Sequence, residues 1–338
     1  MAPPSRMEGF REGRGWGRIP PVLLHGGTLP TGCNQGYKMN SLYKYYDYLK
    51  PEYFNEPTIK ISQPFLLNDP FEKSLSEEAV ELIVEEFMLD FEKLPNKDVS
   101  RDEMRKRFYG FFSTLTTMHG IVSLSETHRN LLMWSHYANS HRGICIGYKS
   151  NFLSSLPRPE KENDEGKYSP IKVNYDSCRF DIEKYLNEKP FFREMAIESL
   201  SKKSDDWIYE KEHRCIIPFS WADKVILKDS PSSLSPEITK WVMDEDKFSY
   251  IKGNQFSYLS EHSYLYGLFN KEPNALLLKS ISIDSISELY FGCQIDDDYM
   301  NDILNTLRHH NEKTKHIRIY KYTANKNRFE LTPERVIL

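Results

Sequence analysis

Apolar residues recur along this chain with two different periods. Leu75, Ala79, Leu82, Ile83, Phe87 and Phe91 fall at helical spacing and predict a helix from Leu75 to Leu94. Arg101 to Thr114 predicts a second, with Met104, Phe108 and Phe111 or Phe112 facing inward. Asn130 to Ala138 reads as a short helix, and Phe180 to Lys202 as a longer one with a charged outer face. Shorter apolar runs predict strands at Leu42–Tyr48, Thr58–Ser62, Ile121–Ser125, Gly143–Tyr148, Ile171–Tyr175 and Cys215–Pro218. Near the end, a strand at Ser287–Phe291, a helix at Asp296–His310 and a strand at Ile317–Tyr322 follow one another, with Arg328–Leu331 and Val336–Leu338 as a closing pair. Gln63 to Phe71 is a turn, Pro157 to Ser169 a surface loop, and Ser220 to Tyr258 an insertion or long connection without a clear period. Neighbouring strands, with helices set between groups of them, predict an α+β fold of mixed, mostly antiparallel sheets flanked by helices.

Residues 1–38 break this pattern. They are rich in Pro, Gly and Arg and carry five basic residues against two acidic ones. The expectation is a disordered leader of added or upstream sequence, with a single α+β domain from 39 to 338; a nucleic-acid-binding arm is the alternative. The whole chain has a net charge of -4. That gives no global basic field for nucleic acid, although a local basic groove is compatible with it. Cys33, Cys145, Cys178, Cys215 and Cys293 form no C-x-x-C pair. They suit thiols in a reducing compartment, hence a cytoplasmic location, better than a disulfide frame or a zinc site. No apolar run approaches the roughly 20 residues that span a bilayer.

Three motifs could carry chemistry. Asn68-Asp69-Pro70-Phe71-Glu72 is a turn that either leads into the next helix or presents Asn68, Asp69 and Glu72 beside a pocket. Ser123-Leu124-Ser125-Glu126 is followed by Trp134, His136, Tyr137, His141 and Arg142, a stretch that suits either a stacking wall or a core segment. His136 and His141 are five apart, not the four that places two rings on one helix face, so no metal is expected. The third, Trp207-Ile208-Tyr209-Glu210-Lys211-Glu212-His213-Arg214, enters an apolar run. Strand alternation would set Glu210, Glu212 and Arg214 on one side and His213 and Cys215 on the other. Such a row is either an ion-pair ladder, with Arg214 facing Glu212 or Glu126, or a tuned acid at the lip of a core.

With Leu42-Tyr43-Lys44-Tyr45 ahead of them and Glu288-Leu289-Tyr290-Phe291-Gly292 behind, these motifs resemble, in order, the bacterial family called domain of unknown function 2971. More distantly, they resemble the ADP-ribosyltransferase superfamily, which sets a polar or aromatic residue on an early strand, a Ser or Tyr on a second strand and a glutamate at a late strand start. The early strand would carry Tyr43, Lys44 and Tyr45, the serine would be Ser62 or Ser125, and the glutamate Glu212. The resemblance implies NAD as substrate, a small nucleotide ligand, and a nucleic-acid or protein acceptor. It also implies a toxin or phage-defence effector. Glu212, Glu210 and His136 are then the catalytic candidates. Arg214 or Arg142 would hold the pyrophosphate, and Trp134 or Tyr137 would stack on a ring. Lys44, Tyr45, Ser125, His141, Asn68, Asp69 and Glu72 complete the candidate ligand set. A nucleotide or RNA hydrolase built on His136, His141 and carboxylates, and a ligand-sensing module without turnover, are the rivals. No P-loop or G-x-G-x-x-G is present, which excludes the common ATPase and dinucleotide-binding frames.

Overall fold

Alternating apolar residues in the short runs build two sheets that bury their common side. The structure is a computed structural model that describes residues 40–72, 75–92, 100–157, 167–179, 192–229, 234–236, 238–239 and 247–338. The expected leader, most of the Pro157–Ser169 loop and the first half of the Phe180–Lys202 helix lie outside them.

Strands are β1 Ser41–Tyr46, β2 Thr58–Ile61, β3 His119–Ser125, β4 Ile144–Lys149, β5 Lys167–Lys172, β6 Asn174–Tyr175, β7 Lys202–Lys203 and β8 Glu212–Pro218. They continue with β9 Lys224–Leu227, β10 Phe248–Lys252, β11 Gln255–Tyr258, β12 Ala275–Ser280, β13 Ile286–Phe291, β14 Arg318–Ala324 and β15 Leu331–Val336. The α-helices are α1 Glu77–Glu92, α2 Arg101–Thr117, α3 Leu131–Tyr137, α4 Phe192–Leu200, α5 Asp297–His309 and α6 Asn311–Thr314.

The larger sheet runs β15-β14-β13-β4-β1-β3-β8-β5, and the smaller runs β10-β11-β9-β12-β2. In the larger sheet β13 and β14 pair in parallel across the α5–α6 crossover, and the other described pairs are antiparallel. The fold is therefore α+β, as expected. Ile59, Ile61, Val225 and Leu277 of the small sheet share one core with Leu42, Val122, Leu124, Ile146, Cys215 and Ile217 of the large one. Within that core the hydroxyl of Tyr148 meets those of Tyr46 and Tyr53, at 2.6 and 2.8 Å, so three phenol groups satisfy one another. A smaller core joins α1, α2 and α4 through Val80, Val84, Phe108, Phe112 and Met195. Phe112, not Phe111, faces inward. Among the described residues, no helix is long and apolar enough to cross a membrane.

Three expectations change. Ser220–Tyr258 is not a mere connection, because it contains β9, which sits between β11 and β12. Its short runs of Lys-Val-Ile-Leu type are too brief to show a period. Ile171–Tyr175 splits into the end of β5 and the separate β6, which pairs with β7. The closing pair is one strand, β15, antiparallel to β14.

Candidate functional site

Register, not sequence proximity, assembles the polar face of the large sheet. Glu288 on β13, Gly147 on β4, Tyr43 on β1, Ser125 on β3 and Glu212 on β8 stand opposite one another across five neighbouring strands. Directly opposed residues share a face. Ser123 and Arg214 form the next pair along.

Glu210 reaches this face by another route. It ends a 3₁₀ turn, Asp205–Glu210, in which the Ser204 hydroxyl accepts from the Asp206 amide. Lys211 then adopts a left-handed conformation (φ 46°) that reverses the chain into β8. A non-glycine residue held there is strained. Glu210 is thus not on the strand, yet the turn returns its carboxylate to Glu212. The Ser125 hydroxyl pins the turn by donating to the Glu210 carbonyl at 2.7 Å.

The carboxylates form one buried network. Arg214 donates through Nε and Nη2 to the two oxygens of Glu212, each at 2.8 Å, through Nη1 to the Leu200 carbonyl at 2.7 Å, and through Nη2 to Glu72. Lys203 donates to Glu210 at 2.7 Å and lies 3.5 Å from Glu212, with its ammonium 4.5 Å from the centre of the Trp207 ring. The Tyr137 hydroxyl donates to Glu210 Oε1 at 2.6 Å, and the Tyr175 hydroxyl accepts from the Glu212 amide at 2.7 Å. Burial pushes the Glu212 carboxyl up, but Arg214 and Lys203 outweigh it and hold the group at about 2. Burial prevails at Glu72, whose carboxyl is raised despite Arg214 and Lys203. Burial lowers Lys203, but Glu212, Glu72 and Glu210 together raise it.

Beside this network opens a cleft of 280 Å³. Glu72, Lys203, Glu210, Glu212 and Arg214 line it together with Lys44, Lys60, Ser62 and Ser123. The Lys44 ammonium donates to the Ser123 carbonyl at 3.1 Å. Burial, and then the charge of Lys60, lower Lys44 to about 8. The cleft is therefore polarised, with a fixed carboxylate network against two lysines. Among the described residues, no group of three or more His, Cys, Asp or Glu is placed to hold a metal.

Of the residues singled out in sequence, Tyr43, Lys44, Tyr45, Ser62, Asn68, Glu72, Ser123, Ser125, Tyr137, Glu210, Glu212 and Arg214 line this cleft. Asp69, Trp134, His136, His141 and Arg142 do not. Trp134 is wholly buried against Tyr45 and Tyr322, with its Nε1 donating to the His128 carbonyl at 2.8 Å, so it cannot stack on a ligand. Asn130 caps α3 by accepting from the amides of Leu132 and Met133, and that phase points Met133 and Tyr137 at the cleft while leaving His136 exposed. His141 and Arg142 belong to a turn in which Asn139, Ser140 and His141 all have positive φ. The turn docks on the loop after β13, where Gln294 donates to the His141 carbonyl. A Cβ on Gly292 would sit 2.1 Å from that carbonyl, which explains the glycine. Arg214 lines the cleft with its guanidinium committed to Glu212, Glu72 and the Leu200 carbonyl. Asp69 lines a separate cavity.

Sequence reading missed Lys203, Lys60 and Tyr175. Lys203 lay just past a presumed helix end; its signal was the basic pair Lys202-Lys203 ahead of the acidic turn Ser204-Asp205-Asp206.

Residues 133–215 match the family described as protein of unknown function (DUF2971). The match runs from α3 into β8 and includes Tyr137, Lys203, Glu210, Glu212 and Arg214. No curated protein and no solved structure matches the chain.

Proposed function

We propose that the cleft is the active site of an enzyme that breaks the N-glycosidic bond of NAD or a similar nucleotide, in the manner of the ADP-ribosyltransferases. The observation that carries this reading is the Tyr43–Ser125–Glu212 row. An aromatic residue on an early strand, a serine on a second and a glutamate at a late strand start stand side by side on adjacent strands. When the bond from ribose C1′ to nicotinamide breaks, its electron pair leaves with the nicotinamide and positive charge develops on the ribose. Glu212, ionised at any ordinary pH and fixed by Arg214, supplies a preorganised negative charge for that state. Tyr137 and Lys203 hold Glu210 beside it, ready to accept the proton of an attacking nucleophile. Lys44 and Lys60 face the phosphates in place of the arginines expected from sequence. At 280 Å³ the cleft falls just below the roughly 300–1,000 Å³ of ligand pockets, so it takes one half of a dinucleotide. Consumption of NAD would suit a toxin or phage-defence effector.

Neither His136 nor His141 lines the cleft, which disfavours the histidine-based hydrolase. Incubation with NAD and with RNA in separate reactions, followed by mass spectrometry, tests the reading. Release of nicotinamide is expected, with a loss of about 100-fold or more in Glu212→Gln. Lys44→Gln leaves the fold and the buried pair intact and raises KM, most clearly below pH 8 where Lys44 is charged. NAD binding without turnover, or RNA cleavage without NAD, would overturn it.

A further inference from the structure

A second cavity, of 180 Å³, adjoins the cleft and shares Glu72 and Lys203 with it. Asp69, Phe71 and Asp176 also line it, as do the cations Lys202 and Arg179. Two of its carboxylates are half used. Asp69 accepts the Phe71 amide at Oδ1, 2.8 Å away, while its Oδ2 is buried with no hydrogen-bond partner among the described residues. Glu72 gives Oε1 to Arg214, while its Oε2 is likewise buried and unpartnered. The two residues are only 1 % and 4 % exposed. In the cleft, by contrast, both oxygens of Glu210 and of Glu212 are engaged.

Buried acceptors without donors are uncommon and unfavourable, so their pairing off is a source of affinity for whatever supplies N–H groups. The two open oxygens are acceptors, which an anion has no donors to satisfy. A metal would find too few ligands, since no group of three is present among the described residues. The rim already receives a cation, because the Arg179 guanidinium lies 5.2 Å from the centre of the Phe71 ring. The cavity has room for a head group and not for a whole nucleotide.

We propose that this cavity binds an ammonium or guanidinium group, from a small amine or a basic side chain, through Asp69 Oδ2 and Glu72 Oε2. The proposal goes beyond the reading of the cleft and does not rest on NAD chemistry. Calorimetric titration of the full chain, without nucleotide, tests it. The probes are agmatine, the uncharged ureido analogue N-butylurea, and a short arginine-containing peptide. Agmatine is expected to bind, and the ureido analogue at least 10-fold more weakly. Tighter binding of the peptide would assign the source to a polypeptide, and tighter binding of agmatine to a free amine. Asp69→Asn keeps the Oδ1 that caps the turn and should lose at least 10-fold in affinity, with an unchanged circular dichroism spectrum as the control for folding. Absence of binding by both cationic probes at millimolar concentration, equal binding of the ureido analogue, or unchanged affinity in Asp69→Asn would overturn the proposal and leave these oxygens to solvent.

Discussion

Glu212 and Glu288 stand in one cross-strand row, each facing an arginine, in opposite surroundings. Glu212 meets Arg214, which is 1 % exposed, inside a network that also holds Glu72, Lys203 and Glu210. Glu288 meets Arg318, whose side chain is 54 % exposed, and accepts the hydroxyls of Tyr43 and Tyr290 at 2.8 and 3.2 Å. Around Glu288 the surroundings are rings: His128 stacks on Tyr290 at 4.0 Å, and Tyr290 on Tyr320 at 4.9 Å. Burial does not distinguish the two acids, which are 4 % and 7 % exposed; their partners do. Both acids are buried: Glu212 is held by an arginine and a lysine buried with it, and Glu288 by two phenols and a largely solvated arginine. One face of one sheet thus carries a charged half and an aromatic half, joined at Tyr43.

Arg214→Ala should break the charged half with the largest effect, about 3–5 kcal/mol, because it removes the guanidinium bonded to Glu212 and Glu72 and leaves them only the more distant Lys203. Urea unfolding measures it, and a loss under about 1 kcal/mol would show that the network is not what holds this edge. Acid titration sharpens the same contrast. The folded Glu212 carboxyl, at about 2, lies below its unfolded value, so its contribution is full above about pH 4.5 and is lost as pH falls toward 2. That difference corresponds to about 3 kcal/mol. The raised Glu72 carboxyl works in the opposite sense and offsets part of the loss. Urea midpoints between pH 6 and 3 should fall in the native chain and flatten in Glu212→Gln.

Gly147→Ala tests the junction. Its Cβ would lie 3.0 Å from the Tyr43 ring and 3.1 Å from Glu288 Cβ, and both must give way. A cost of about 1–3 kcal/mol is expected, measured by urea unfolding. Arg318→Ala should have the smallest effect, under about 1 kcal/mol, since its pair is solvated on one side. A loss equal to that of Arg214→Ala would erase the distinction between the two halves.

Much of the scaffold was readable because burial leaves a local period. The strands at Thr58–Ile61 and His119–Ser125 and the helix at Asp297–His309 fall where apolar spacing placed them. The strand Ala275–Ser280 passed unnoticed, since Leu276-Leu277-Leu278 is a continuous apolar run without alternation. For the site, the Glu212–Arg214 pair was legible because both lie on one strand two residues apart. The Trp134-His136 wall was misplaced because helix phase depends on the Asn130 cap and on what the helix packs against.

By itself the sequence determined the α+β class, the carboxylate-rich turn before β8 and the spacing that puts Glu212 beside Arg214, all consequences of interactions between near neighbours. Tertiary structure alone decided that Tyr43, Ser125 and Glu212 share a row, that Lys203 and Glu72 enter the network, and that Trp134 belongs to the core. Those outcomes depend on strand order and register, which are set by long-range packing and leave no mark in any single segment.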